Sequence, residues 1–352
     1  MKINIILPIM AKSGGSAVIY KYVDILRNQG HDIIVYKPVI AFNMRRYQSR
    51  IKNNIHRLYC TFKGLPRIFS RNNTVDRFIP IIFDLFVRDA DIVIATSWPT
   101  AFSVNKLKNK KGKKIYFVQD IEIWDNEEFG LNSYLLPLNK IVISSWINQQ
   151  LKNKLNLGPY PIVYNGLDIE VFKNLNRTYN NKTIHCLMLN HVLEKKGVND
   201  GIRAFELARS IYSNIVLESF GLCSNENLPN YVKYTQNPSK QELIEIYCHS
   251  DIFIFPSRTE GWGLTPLEAM ACKCAVVGTN TGFVLDLGEN GNNMLISECG
   301  NVYELAENII KLAENLELRE RISEEGFKTA SHLSWYSSAM VLENLLINIC
   351  NT

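Results

Sequence analysis

The feature that most constrains this chain is an alternation, sustained over nearly all of its 352 residues. Short apolar runs rich in β-branched residues take turns with amphipathic stretches. In the first half the runs fall at residues 3–9, 32–36, 92–95, 114–118, 141–144 and 162–164. They are continuous rather than alternating apolar and polar, the pattern of parallel strands buried on both faces. Between the first two, Val18, Tyr22, Ile25 and Leu26 recur at helical spacing over residues 17–28, and Gly30 supplies a C-terminal stop. The second half repeats this grammar. Strands are predicted at 184–189, 215–219, 231–234, 252–255 and 275–277, and helices at 199–212, 240–250, 302–315 and 318–330. Two successive βα runs predict an α/β chain with two doubly wound, Rossmann-like sheets and a cleft between them. The length fits, because one typical core does not extend over about 350 residues.

Composition removes other classes. With 46% hydrophobic and 21% charged residues, the chain suits neither a disordered, a collagenous nor a coiled-coil reading. Its most apolar stretch, 78–87, is ten residues long and contains Pro80 and Asp84. A bilayer crossing takes about 20 apolar residues. The chain opens on strand-like residues with no small-residue cleavage site, so no signal peptide is expected. Its eight cysteines are scattered, and the close pair Cys272 and Cys274 lacks a second pair to complete a zinc site. Reduced thiols in a cytoplasmic protein are the expectation. The net charge of +5 hides an asymmetry, because residues 1–170 carry +11 and residues 171–352 carry −6. Two domains with different partners would explain it.

The densest chemistry lies at residues 251–277. A buried strand ends in Pro256 and runs into a polar, glycine-bearing loop, and a helix starts near Thr265 and Pro266. Ligands of open α/β sheets bind at the carboxyl ends of strands, where this loop falls. The backbone amides of Gly263, Leu264 and Thr265 would open a helix N-terminus suited to a phosphate. Glu260 precedes that helix and Glu268 lies about one turn inside it. Two carboxylates beside a phosphate repel it, so their better use is accepting hydrogen bonds from sugar hydroxyls.

The segment EGWGLTPLEAMAC resembles glycosyltransferase family 4, retaining sugar-nucleotide transferases with a GT-B fold, in which two Glu are likewise separated by seven residues. The resemblance implies Glu260 beside the donor sugar, Glu268 on the nucleotide ribose, and a diphosphate on the amides that follow Gly261 and Trp262. Other stretches fall in the family's order. Ser13, Gly14, Gly15 and Ser16 match the glycine loop lining the donor phosphate. Lys196, directly before Gly197, matches a lysine that neutralises the leaving diphosphate. An Arg usual five or six residues earlier is replaced by Asn190 and His191, and Arg258 is the candidate substitute. Gln119 stands where most relatives carry a His that touches the donor sugar; Asp120 and Glu122 are candidate acceptor contacts. Residues 165–168 resemble the family's interdomain segment. Trp335 is placed to open a helix that crosses back onto the first domain. The domains expected are 1–168, which binds acceptor, 169–334, which binds nucleotide-sugar, and the helix 335–352.

Residues 45–77 form a basic, amphipathic stretch. It carries Arg45, Arg46, Arg50, Lys52, Arg57, Lys63, Arg67, Arg71 and Arg77, opposed by Asp76 alone. Tyr47, Ile51, Ile55, Leu58, Tyr59, Phe62 and Leu65 interleave at helical spacing. Such segments lie on anionic membranes, each cation contributing about 1 kcal/mol. A second run, residues 106–114, holds six lysines. No nucleic-acid motif accompanies the charge, so nucleic acid is not an expected partner. The reading is a retaining, metal-independent glycosyltransferase with no cofactor beyond its nucleotide-sugar substrate. It would act on a glycan or polyprenyl-linked acceptor for cell-surface polysaccharide, in the cytoplasm or at the inner face of the membrane. Two alternatives are a GT-B-like sugar-nucleotide epimerase and a catalytically silent nucleotide-binding partner subunit.

Overall fold

The computed structural model describes residues 1–8, 14–64, 74–172, 177–179 and 183–351. Ile9, Ser13, Leu65, Arg67 and Arg71, together with residues 173–176 of the polar segment after Asn165, lie outside the described residues. The chain opens with β1 (Lys2–Ile6), α1 (Gly14–Asn28), β2 (Asp32–Pro38), α2 (Arg50–Gly64), β3 (Asp76–Ile79) and β4 (Ile92–Ala95). There follow α3 (Trp98–Lys106), β5 (Lys113–Val118), α4 (Glu127–Tyr134), β6 (Asn139–Val142), α5 (Ser145–Leu155) and α6 (Ile169–Phe172). The second half runs β7 (Ile184–Asn190), α7 (Val198–Ile211), β8 (Ile215–Gly221), β9 (Lys233–Gln236), α8 (Lys240–His249) and β10 (Ile252–Phe255). It continues through α9 (Leu264–Ala271), β11 (Ala275–Thr279), α10 (Val284–Leu287), β12 (Leu295–Ser297), α11 (Val302–Glu314), α12 (Leu316–Ser331) and α13 (Trp335–Asn351).

The chain divides into two compact units, one of residues 1–143, 147–164 and 335–352, the other of residues 144–146 and 165–334. Leu167 pairs with Ser334 in a parallel bridge, so the segment after Tyr164 goes with the second unit. Among the described residues each unit holds a six-stranded sheet, ordered β3-β2-β1-β4-β5-β6 in the first and β12-β11-β10-β7-β8-β9 in the second. All the pairings are parallel. Read from its own first strand, each sheet has the order 3-2-1-4-5-6, with a reversal between the first and fourth strands. Ligands of such sheets bind beyond the strand ends at that reversal. In the first unit the reversal lies between β1 and β4, and in the second between β7 and β10.

The sequence explains why these elements form. β4, β10 and β11 are buried along their whole length, as continuous apolar runs demand. In the second unit Ile254 and Val277 meet Phe205 of α7 and Ile309 of α11 in one apolar core. α11 is started by Asn301, whose side chain accepts from the Glu304 amide, and it turns Val302, Leu305, Ile309 and Leu312 inward. Asn315 accepts from the Leu318 amide and starts α12 in the same way. Beneath β10, Arg177 Nη2 donates to Asp251 Oδ1 at 2.8 Å and its Nη1 to the Cys248 carbonyl at 2.8 Å. In the first unit α13 packs on α1, with Trp335 edge-on to Tyr22 at 5.6 Å and Glu343 on His31 at 2.6 Å.

Three details depart from the sequence reading. β3 and β12 are strands where none was expected. Both are short edge strands, paired on one side only, so neither needs a long apolar run. The strand expected at 162–164 is reduced to a single bridge between Val142 and Ile162. Pro161, which has no N–H to donate, precedes it.

Candidate functional site

In the second unit the loops beyond β7 and β10 are tied together. The amides of Arg258 and Thr259 both donate to the Lys195 carbonyl, at 2.8 and 3.3 Å. Gly197 makes that approach possible. Its φ is +65°, and a Cβ there would sit 1.9 Å from the Pro256 carbonyl oxygen. Lys196 Nζ then reaches Glu260 and donates to its Oε2 at 2.5 Å, with the two side chains 19% and 14% exposed. The Glu260 amide donates to Thr281 Oγ1 at 3.0 Å, and the Phe283 amide to the Trp262 carbonyl at 2.8 Å. The segment from Glu260 to Trp262 is thus held at both ends, and Trp262 is buried edge-on against Phe283.

Gly263 takes φ +99° and caps α9, whose first helical residues are Leu264 and Thr265. Their amides have no acceptor within the helix, and the helix dipole is positive there. One turn on, Glu268 Oε2 accepts from the Tyr247 hydroxyl at 3.0 Å. Burial pushes the Glu268 carboxyl up to about 7, against the opposing pull of that hydrogen bond. Tyr247 is fully buried, ringed by Phe172, Phe220 and Phe253. Nothing in the sequence marked it, because a tyrosine on an amphipathic helix reads as core.

The candidate substitute cation is committed to partners. Arg258 Nε and Nη2 grip both oxygens of Asp200, at 2.7 and 3.0 Å, and Nη1 meets Glu194 at 3.1 Å. The substitute cation expected from sequence is therefore balanced by two carboxylates. Asn190 is buried, donating to the Ser224 carbonyl at 3.1 Å and accepting from Asn227. His191 accepts the Leu193 amide on Nδ1, and burial pushes its pKa down, with Lys196 adding to the effect. His191, Asn227, Asp200 and Arg258 line one open depression of about 390 Å³.

The first unit presents different groups at its strand ends. Gln119 follows β5, and its side chain lies against Gly15 at the start of α1, where an added Cβ would stand 3.3 Å from Gln119 Oε1. That oxygen is buried and has no hydrogen-bond partner among the described residues. Gly14 faces open space. Asp120 Oδ1 accepts from the Ile121 amide at 2.8 Å. Glu122 Oε2 accepts the Trp98 amide at 2.6 Å and the Tyr116 hydroxyl at 3.3 Å, so it serves the N-terminus of α3. Three of the six lysines at 106–114 have partners within the first unit. Lys110 and Lys111 both pair with Asp89, and Lys114 donates to the Asn105 carbonyl.

The fold is that of GT-B glycosyltransferases. The protein superposes on Anabaena Alr3699/HepE, solved in complex with UDP-glucose, with a TM-score of 0.73, covering 98% of this chain and 99% of that one at 15% identity. Residues 172–329 match the family described as glycosyl transferases group 1. The capsular polysaccharide biosynthesis glycosyltransferase CapM of Staphylococcus aureus is 29% identical over 68% of this chain and 66% of its own length. The uncharacterized glycosyltransferase MJ1069 of Methanocaldococcus jannaschii is 24% identical over 92% of each. The matched family segment contains the Lys196–Glu260 pair, the Gly263 cap and Glu268.

Proposed function

We propose that this chain is a retaining glycosyltransferase of family 4. It would move a sugar from a nucleotide-diphosphate donor to a glycan or lipid-linked glycan in cell-surface polysaccharide synthesis. The observation that carries the reading is the Lys196–Glu260 pair, held by the loops beyond β7 and β10 beside the N-terminus of α9. In this scheme the donor diphosphate lies on the amides of Leu264 and Thr265 and competes with Glu260 for Lys196. Glu260, released from its cation, accepts hydrogen bonds from the donor sugar, and Glu268 holds the ribose. As the bond from sugar to phosphate breaks, negative charge grows on the phosphate oxygens, where Lys196 and the helix amides stabilise it. The acceptor hydroxyl attacks from the face the diphosphate leaves, and its proton passes to a phosphate oxygen. Gln119 hydrogen-bonds the sugar without titrating, and Asp120 contacts the acceptor.

No protein nucleophile and no metal enter this scheme, so transfer is expected to survive chelation by EDTA. Residues 1–168 would bind acceptor and residues 169–334 the donor, in the cytoplasm or at the inner face of the membrane, with the basic residues 45–77 facing anionic lipid. Support comes from the likeness to CapM and to the fold of the UDP-glucose complex. The test is transfer of radiolabelled sugar from a panel of UDP-, GDP- and dTDP-sugars to a lipid-linked acceptor. Product formed with donor alone would assign an epimerase instead. Nucleotide binding without turnover on any acceptor would make this a silent subunit.

A further inference from the structure

A surface helix ordinarily turns its apolar stripe to the core. α2 does the reverse. Its inward side is polar: Arg57 Nε donates to the Ala41 carbonyl at 2.8 Å, and Thr61 Oγ1 accepts from the Ala41 amide at 3.0 Å. Asn53 exchanges two hydrogen bonds with the backbone of Tyr47, at 2.9 and 2.6 Å. Its outward side carries Ile51, Ile55, Leu58, Tyr59 and Phe62, between 58% and 72% exposed. At 3.6 residues per turn these five fall within an arc of about 100°. Evolution of a merely solvated face would not place five large apolar side chains there, and contiguous exposed apolar surface marks a site of contact.

Its surroundings identify the partner. Arg50, Lys52 and Lys63 flank the stripe, all exposed, with Arg45 and Arg46 on the approach to the helix. No Asp or Glu occurs from residue 33 to residue 75. Asp76, the nearest acid in sequence, is held by Lys37 at 2.5 Å and by the Tyr20 hydroxyl at 2.6 Å. Beyond Pro80, elsewhere on the first unit, the side chains of Phe83 and Leu85 are 56% and 79% exposed. Apolar side chains ringed by cations, of which Arg46 alone meets a carboxylate among the described residues, complement the boundary between acyl chains and anionic headgroups. A two-fold copy of the chain would instead set one cationic rim against its equal.

We propose that α2 lies in the plane of an anionic bilayer, with its apolar stripe among the acyl chains and its flanking cations on lipid phosphates. This deepens the membrane part of the proposed function and rests on it, adding insertion to charge. The approach to α2 is also pinned to the loop beyond β5. Asn126 Nδ2 donates to the Arg45 carbonyl at 2.8 Å, the Arg45 guanidinium sits 4.3 Å from the Phe129 ring centroid, and Arg46 lies 3.7 Å from Asp125. Gln119 and Asp120 open that loop. A bilayer that holds α2 therefore holds the acceptor end of the first sheet near the membrane surface.

The test is flotation of the full chain with vesicles of phosphatidylglycerol and phosphatidylcholine, and with phosphatidylcholine alone. Wild type is expected to float with the anionic vesicles and to retain part of its binding in about 0.5 M salt, where the Debye length is short. Ile55→Glu/Phe62→Glu should lower the partition by roughly tenfold or more, while Lys52→Gln/Lys63→Gln should mainly lower the preference for anionic lipid. Circular dichroism and unchanged transfer to a water-soluble acceptor would confirm that both variants fold. If the apolar variant floats like wild type, insertion is wrong and a contact by charge alone stands. If wild type floats with neither vesicle, the membrane part of the proposed function fails with it. A wild-type dimer that the apolar variant makes monomeric would give the stripe to a second copy and overturn the proposal.

Discussion

At the ends of β7 and β10 the second unit holds its charges in pairs, Lys196 on Glu260 and Arg258 on Asp200, inside loops stapled by backbone hydrogen bonds. Beyond β5 the first unit offers Gln119, packed on Gly15, and Asp120, engaged locally with the next amide. Both sheets have the same strand order, so the difference is not one of topology. It lies in what each reversal is loaded with. The proposed diphosphate site needs positive charge in place before the bond breaks, and Lys196, handed over by Glu260 as the donor binds, would supply it together with the amides at the start of α9. A site for a neutral hydroxyl needs hydrogen bonds and access rather than fixed positive charge, and the amide of Gln119 and the carboxylate of Asp120 would provide them.

Five substitutions probe this contrast, from the largest expected effect to the smallest. Arg177→Met strands Asp251 beneath β10. Removing one partner of a buried pair costs about 3–5 kcal/mol, so urea unfolding should lose that much stability. An unchanged midpoint would mean the donor loops need no such foundation. Lys196→Ala should lower the transfer rate by roughly 100- to 1,000-fold with the melting point little altered. A loss of less than tenfold would remove the lysine from the charge-stabilising role.

Tyr247→Phe deletes one hydrogen bond to Glu268, for about 1 kcal/mol. Donor KM should rise several-fold while kcat holds. The same change removes a contact that lowers the Glu268 pKa, so the pH profile of donor binding should move to higher pH. A parallel fall in kcat and KM with no such movement would make Tyr247 merely a packing residue. The stability linkage has a definite sign. Glu268 titrates near pH 4.5 when unfolded and near 7 when folded, so the native state binds the proton more tightly. Its contribution is complete below pH 4.5 and is lost as the pH rises through 7. Glu268→Gln should therefore flatten the decline of melting temperature over that window. Gln119→Ala should change stability by less than about 1 kcal/mol, because Oε1 has no partner among the described residues to lose. Its effect on transfer should be the smallest of the five.

Much of this was legible in the amino-acid sequence. Buried parallel strands announce themselves as unbroken apolar runs, so β4, β7, β10 and β11 were readable, whereas the edge strands β3 and β12 carry too few apolar residues to stand out. The loop from Glu260 to Thr265 was readable because its glycines and Pro266 mark a strand end and a helix start. Its partners were not. Asp200 lies 58 positions before Arg258, and Tyr247 lies 21 before Glu268, with no periodicity connecting either pair. The first pairing comes from β7 lying beside β10, and the second from α8 and α9 flanking the same strand. The direction α2 faces was equally hidden, since an amphipathic helix reads the same whichever side it turns to the core.

The second unit is expected to bind a nucleotide-sugar through Lys196 and Glu268. Thermal-shift measurement against UDP-, GDP- and dTDP-sugars tests this directly, because a ligand that binds only the native state raises its melting temperature. At least one donor is expected to stabilise the wild type, with the shift abolished in Lys196→Ala and in Glu268→Ala. No shift with any donor, or an equal shift in all three proteins, would contradict it.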